Sequence, residues 1–421
     1  MTDRRHPRQR GSKPKVLFVT TVVPIPVNAG NKQRTDQSIK ALIAAGADVT
    51  ILVHTRANRK ATIETLEENY PACRILVVGK AATAKVHFKK KRYGRALLKV
   101  LNKYIDRLTH RHLLISNATE CPPHFLRVIR REMREHDVYF SNYAKVTPIW
   151  NFRFDGISVC DTHDLQSRRQ KIFLAREEPN AIARYIKGWI FEWSEKIALR
   201  KFDHLLSISD VELPEMRAMV GAGVAVRYAP ATFDISSCRE SALDQPFDIG
   251  FIGTRSKPNI DGIVWFLDEI LPSIVEAKPD VRVLIVGRVV TADEVAAAIV
   301  RHSSRVQVIE FVNKVESAYS QAKVWICPVR FGTGMKIKAV EGLAMGVAMV
   351  GTSAAFESIA VRDEADVMIA DDAVSFRDKT LRLVRDPHLA GSLRNNAQQV
   401  FLRDHSFMSH VRILKELIDS I

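Results

Sequence analysis

An apolar, Val- and Thr-rich run at residues 15–23 is followed by a loop over 24–34 with Gly30 inside it. Ile39, Leu42 and Ile43 then recur at helical spacing within 36–45, Gly46 ends that helix, and a second apolar run spans 48–54. Strand, glycine-containing loop, helix, strand is a βαβ unit, and it confines the chain to a parallel sheet flanked by helices. Strand-like runs at 74–78, 137–141, 156–160 and 204–208 extend the series. After a loose polar stretch at 232–246 the pattern restarts. Residues 247–252 read as a strand ending in Gly253, 260–277 as one helix with Trp265, Phe266, Leu267, Ile270 and Leu271 on its apolar side, and 281–286 as a strand closed by Gly287. Runs at 306–310, 324–327 and 348–350 follow. The expectation is an α/β chain with two doubly wound domains, 15–232 and 233–398. A disordered basic tail at 1–14 precedes them, and a C-terminal helix at 399–421 is placed to pack back on the first domain.

Sheets of this kind bind ligands beyond the carboxyl ends of their strands. With two such domains the cleft between them is the expected active site, and its closure would exclude water.

Charge narrows the partner. Lys and Arg exceed Asp and Glu by 16 over 421 residues. Residues 1–240 hold 42 basic against 24 acidic groups, whereas 241–421 hold 21 against 23, so the whole excess lies in the first half. Such an excess speaks of an anionic partner and not of a fold. The five cysteines, Cys73, Cys121, Cys160, Cys238 and Cys327, are scattered and form no C-x-x-C. That argues against a disulfide framework or a zinc site and fits a reducing cytoplasm. No run reaches the ~18 apolar residues of a spanning helix. The basic start loosely imitates a signal peptide, but its apolar run is short and Pro24 and Pro26 break it.

The most informative stretch is PVRFGTGMKIKAVEGLAMG, residues 328–346, directly after the strand at 324–327. Gly332 and Gly334 make a flexible loop, with a helix starting near Met335 and Lys336. A glycine loop feeding a helix N-terminus offers backbone N–H groups and a favourable dipole to an anion. Lys336 and Lys338 add cationic heads. Glu341, one turn beyond Lys338, can face the same site and accept hydrogen bonds from a ribose diol. Taken singly, each of these residues is more often an ordinary loop or solvated helix residue. A nucleoside diphosphate ligand explains them jointly.

On these residues the chain resembles the retaining nucleotide-sugar glycosyltransferases of the GT-B fold, family 4, and most closely the exopolysaccharide-type sugar transferases. FIGTRSKPNIDGIVWFLDEILPSI, residues 251–274, is similar to the opening of that family's donor domain. The resemblance implies two Rossmann-like domains facing across a cleft. It implies that Glu341 holds the donor ribose, that Gly332 and Gly334 form the diphosphate loop, and that Lys338 matches a lysine common in the subgroup; Thr333 and Lys336 join the donor-binding candidates. The family's first glutamate of an E-x7-E pair falls at Thr333, which has no carboxylate, so the grip on the sugar departs from the family pattern. Gly253 and Arg255 stand near the family's donor-binding residues after the first donor-domain strand, Arg255 and Lys257 out of register. Gly30 and Arg34, in PVNAGNKQRT, match a loop that faces the donor diphosphate and acceptor; an ordinary βα turn is the competing reading. His163, in SVCDTHDLQSRR, matches a histidine close to the donor sugar, with Asp161 and Asp164 positioned to orient its ring or to cap the loop. His163 and Asp164 are therefore the catalytic candidates. The implied reaction is transfer of a sugar from a nucleotide-diphosphate sugar to a glycan or lipid-linked acceptor with retention, with no enzyme nucleophile, no cofactor and no metal.

Residues 80–136 carry 15 Lys and Arg against 4 Asp and Glu. Leu97, Leu98, Leu101, Tyr104, Ile105 and Leu108 recur there at helical spacing with cations between them. Such a helix reads either as an anionic membrane contact at the inner face of the cytoplasmic membrane or as a helix packed on its own domain with a solvated basic face. Two other functions compete: a GT-B nucleotide-sugar epimerase, and a basic nucleic-acid-binding protein. The second is disfavoured, because no zinc-finger spacing or aromatic RNA-binding strand exists and the charge is confined to one half. A dinucleotide dehydrogenase is disfavoured too, since the first βα loop has no G-x-G-x-x-G.

Overall fold

The computed structural model describes residues 13–27, 30–79, 121–147, 154–233, 245–312 and 315–419. These fall into two compact units, one within Met1–Ala229 plus Val411–Ile421, the other within Pro230–His410.

The first unit is a seven-stranded sheet: β1 (Lys15–Thr20), β2 (Asp48–His54), β3 (Arg74–Val78), β4 (Val138–Asn142), β5 (Ile157–His163), β6 (His204–Ser207) and β7 (Ala225–Tyr228). Its order is β3-β2-β1-β4-β5-β6-β7 and every pair is parallel. β1 and β4 are central, and the apolar runs that announced them are the ones buried on both faces. Phe18 and Phe140 stack across that pair at 5.1 Å. Truncating either to Ala would cost about 3–5 kcal/mol.

The second unit repeats the design with six strands: β8 (Phe247–Ile252), β9 (Val283–Val286), β10 (Val306–Ile309), β11 (Ala322–Cys327), β12 (Ala348–Gly351) and β13 (Met368–Ile369). They are parallel in the order β10-β9-β8-β11-β12-β13. Gly250 of β8 lies opposite Trp325 of β11, and a Cβ there would sit 2.7 Å from the indole, so the glycine makes room for the buried ring. The indole N–H donates to the Tyr319 carbonyl at 3.1 Å. In each sheet the strand order reverses between the first strand and the fourth, which is where doubly wound sheets open a crevice.

Two of the element boundaries that differ from the sequence reading bear on packing. The single helix expected over 260–277 is Lys257–Trp265, a π-turn at Phe266–Ile270, and Leu271–Ala277. Pro272 has no N–H and its ring would collide with the carbonyl four residues back. The ladder widens by one residue to accommodate it, so that the Leu271 N–H bonds the Phe266 carbonyl. The helix expected from residue 36 starts at Gly30. Its first half buries Arg34, Thr35, Asp36, Gln37 and Ser38, polar residues that leave no apolar period to read.

Candidate active site

In the first unit the reversal point is filled by one hydrogen-bond network. Thr20 ends β1, its hydroxyl donating to the Val22 carbonyl; Thr35 in the following helix donates to the Asn31 carbonyl at 2.7 Å. Both hydroxyl protons are thereby committed, so both oxygens accept from the Asn142 amide nitrogen, at 2.9 and 2.8 Å. That fixes the amide: Asn142 Oδ1 points the other way, 2.7 Å from His163 Nε2. An amide oxygen only accepts, so Nε2 carries the proton and Nδ1 the lone pair of the neutral ring. Burial, set against the Asp161 charge, pushes the His163 pKa down to about 4. The imidazole is therefore neutral near pH 7.

The backbone here is unusual. Tyr143 and His163 have φ of 76° and 61°, and β5 shifts register between Asp161 and His163. Left-handed backbone at a bulky residue costs about 1–3 kcal/mol and gathers at functional sites. The Tyr143 ring stacks on the imidazole at 4.0 Å. The bulge re-aims His163 out of strand alternation.

Asp161 faces the helix after β1. It takes the Arg34 Nε at 2.9 Å and the Ser38 hydroxyl at 3.3 Å. Arg34 is only 2% exposed, and its guanidinium ties the helix after β1 to β5. Asp164 accepts from the Gln166 amide at 2.5 Å. Gly30 is the first residue of its helix. Behind His163, the helix Gln166–Glu177 is held at its N-terminus by two buried carboxylates. Glu212 accepts from the Leu165 N–H at 2.9 Å, and Glu195 from Gln166 and Ser167 N–H at 2.8 Å each. Burial raises both carboxyls to about 7 against the opposing pull of those N–H groups.

In the second unit the reversal point lies between β8 and β11. Gly253 follows β8, and a Cβ on it would sit 2.9 Å from the Phe251 ring and 3.2 Å from the Asn259 amide. A Cβ on Gly262 would meet the Pro328 carbonyl at 2.2 Å, so the helix Lys257–Trp265 lies directly against the chain leaving β11. Gly332 and Gly334 hold φ of 127° and 68°, which glycine adopts without strain. The helix Ile337–Ala344 starts just beyond them, with Lys336 at its N-cap position.

Lys338 donates to Asn259 Oδ1 at 2.5 Å and lies 4.5 Å from the centre of the Phe251 ring. The Asn259 amide nitrogen is committed to the Thr254 carbonyl at 2.9 Å, which orients its oxygen toward the lysine. Burial lowers the Lys338 pKa, with the Glu341 charge acting the other way. The Tyr319 hydroxyl shares its one proton between the Lys338 carbonyl at 3.2 Å and Glu341 at 3.4 Å, and burial raises the Glu341 carboxyl to about 7. The Lys336 ammonium bonds the Gly334 carbonyl at 2.7 Å and is within 3.4 Å of Glu357. Arg255 is exposed, and Thr333 lies within the glycine loop. Thus Gly253, Lys338 and Glu341 share one neighbourhood with the glycine loop. Asn259 and Tyr319, which position the lysine and the glutamate, were not singled out from sequence. The only signal was the Pro-Asn opening of a helix.

A separate concavity of about 810 Å³ lies in the first unit at the carboxyl ends of β2 and β3, lined by Arg56, Arg59, His124, Arg127 and Arg131 among others. Every ionisable group lining it is a base. Among the described residues no cluster of three or more His, Cys, Asp or Glu is placed to hold a metal ion.

Comparison with known proteins agrees with this geometry. Residues 246–386, the core of the second unit, match the family model for glycosyl transferases group 1. Sucrose-phosphate synthase from Thermosynechococcus elongatus superposes with a TM-score of 0.67 at 15% identity, covering 96% of this chain and 98% of that one. HepE from Anabaena, solved in complex with UDP, superposes with a TM-score of 0.67 at 13% identity, covering 97% and 100%. An uncharacterized 44.6 kDa protein in the cps region of Klebsiella pneumoniae is 24% identical over 196 residues, 44% of this chain. That match spans about half the length of the curated relative (48%). The chain has the GT-B fold, two Rossmann-like α/β units. The part of it matched by the glycosyl transferases group 1 model carries Lys338 and Glu341.

Proposed function

We propose that this chain is a glycosyltransferase that moves a sugar from a nucleotide-diphosphate sugar to a glycan or lipid-linked acceptor with retention of configuration. The observation that carries the reading is the constellation after β11. Two left-handed glycines lead into the N-terminus of a helix, with Lys338 held by Asn259 and Glu341 held by Tyr319. Cleaving a nucleotide–sugar bond builds negative charge on the diphosphate. Donors fixed in advance stabilise that charge without reorganising. The loop N–H groups and Lys338 are such donors, and Glu341 is suited to the ribose hydroxyls. The HepE structures with UDP, with UDP and glucose and with UDP-glucose favour a uridine diphosphate sugar. In the first unit His163 serves as a neutral imidazole whose Nδ1 lone pair accepts from a sugar hydroxyl. Arg34 and Asp161 position it by fixing the helix after β1 against β5.

The acceptor reading is supported by the arginine-lined concavity at β2 and β3, which suits phosphate or carboxylate groups. Residues 80–120, which hold most of the basic segment proposed for membrane contact, lie outside the described residues. No helix among the described residues is long and apolar enough to cross a membrane. Action at the inner face of the cytoplasmic membrane therefore belongs to the proposal. The test is release of nucleoside diphosphate from a panel of nucleotide sugars. Release that depends on an added acceptor supports transfer. Acceptor-independent conversion of the sugar nucleotide would favour the epimerase, and binding of RNA without any nucleotide-sugar turnover would favour the nucleic-acid reading.

A further inference from the structure

The helix Ala181–Leu199 has two apolar faces. One, with Gly188, Phe191, Ala198 and Leu199, is buried in the first unit. The other is not. Ile182, Tyr185, Ile186, Trp189 and Trp193 are exposed by 72, 75, 48, 56 and 44%. At 100° per residue these five side chains fall within an arc of about 100°, opposite the buried face. Trp189 and Trp193 stack with ring centres 6.4 Å apart. A helix apolar on both sides is normally buried on both, and a contiguous exposed patch of this kind marks an interaction site.

The composition selects the partner. Trp and Tyr with Ile are the side chains that settle at a bilayer surface, an apolar body inside and a polar tip in the headgroups. The rim is cationic. Between residues 166 and 200 there are 8 Lys and Arg against 4 Glu, and Glu195 is turned inward onto helix N–H groups. By the same angles Lys196 and Arg200 fall within the apolar arc and Glu192 at its edge, while Arg184 and Lys187 fall on the opposite side; Arg169 and Lys171 lie on the antecedent helix Gln166–Glu177, which packs along Ala181–Leu199. Lys171 pairs with Glu192, which leaves Lys196 and Arg200 to make the rim net positive. We propose that this helix is an interfacial docking element that seats its Tyr–Trp face in an anionic lipid surface. The proposal goes beyond sugar transfer. It uses that reading only to explain why a lipid-linked acceptor would be met there.

The test uses the full chain with vesicles of phosphatidylglycerol and phosphatidylethanolamine carrying brominated acyl chains, and with neutral phosphatidylcholine vesicles. Bromine quenches tryptophan only on contact. Among the described residues Trp265 and Trp325 are buried; Trp150 lies outside them, so the part of the quenching that W189F/W193F removes is what reports Trp189 and Trp193. The expected result is quenching on anionic vesicles that disappears in W189F/W193F. Vesicle sedimentation should fall at least 10-fold in Y185S/W189S, with nucleotide-sugar binding in that variant unchanged. The proposal is overturned by sedimentation without quenching, or by unchanged sedimentation of Y185S/W189S. A lipid-free dimer that the same variant abolishes would also overturn it, assigning the face to a second copy. So would shielding of both tryptophans from iodide in the free protein, which would mean the chain's own residues cover them. None of these readouts depends on transfer, so the proposal and the enzymatic reading fail separately.

Discussion

His163 Nε2 lies 2.7 Å from Asn142 Oδ1, and the Asn142 amide is itself fixed by two threonine hydroxyls whose protons are already committed. One tautomer of the imidazole follows. Replacing Asn142 with Leu removes the acceptor of the His163 Nε2–H and the donor to Thr35, while Thr20 keeps the Val22 N–H at 2.9 Å. A buried hydrogen-bonding group left unmade costs about 1–3 kcal/mol, so turnover should fall roughly 10- to 100-fold. Steady-state kinetics check this. Asn142→Leu at full turnover would show that the imidazole is not held through this bond.

His163 should remain neutral across the physiological range. Its folded pKa of about 4 lies below the ~6.5 of an exposed imidazole. The associated stability is fully present above about 6.5 and is lost as pH falls toward 4. Proton NMR of the ring should show no titration between pH 5.5 and 8. A midpoint near 6.5 would contradict the buried placement.

Glu195 and Glu212 act in the opposite sense. Their folded pKa values are near 7 against 4.5 for an ordinary glutamate. The stability each contributes is fully present below 4.5 and is lost as pH rises through 7. Unfolding by denaturant at pH 5, 6 and 7 measures this. Glu195→Gln should reduce the slope of stability against pH by up to ~1.4 kcal/mol per pH unit. An unchanged slope would remove Glu195 from the titration.

Gly332 sits at φ 127°, and a Cβ there would make ordinary van der Waals contact with Pro258 at 3.6 Å and Lys336 at 3.7 Å, with no clash. Alanine there is strained by backbone alone, by about 1 kcal/mol or more. Gly332→Ala should therefore weaken nucleotide binding while shifting the melting temperature by only a few degrees. Calorimetry with UDP alongside a thermal melt separates the two effects.

Much of this architecture was legible. Runs of Val, Ile and Leu buried on both faces mark central parallel strands, and β1, β2, β8 and β11 all carried that mark. The glycine loop and Glu341 were legible for a similar reason: special backbone needs glycine, and ligand chemistry needs named side chains in register. The first-unit site was legible only in part. His163 stood at a strand end, but Asn142 lies 21 residues away with no local signature, and strand pairing alone joins them. For Arg34 the sequence shows a charge without its partner; the fold supplies Asp161 from 127 residues away. The exposed face of the helix Ala181–Leu199 was hidden for the reverse reason. Apolar residues at helical spacing read as core until the opposite face is seen to be core as well.

The most direct measurement is isothermal titration calorimetry of UDP and UDP-sugars into the full chain and into Lys338→Ala and Glu341→Ala. A donor site at these residues predicts binding that weakens about 10-fold or more in each variant, as for loss of one charged contact, with turnover of a UDP-sugar falling in parallel. Equal affinity and near-normal turnover in both variants would contradict it.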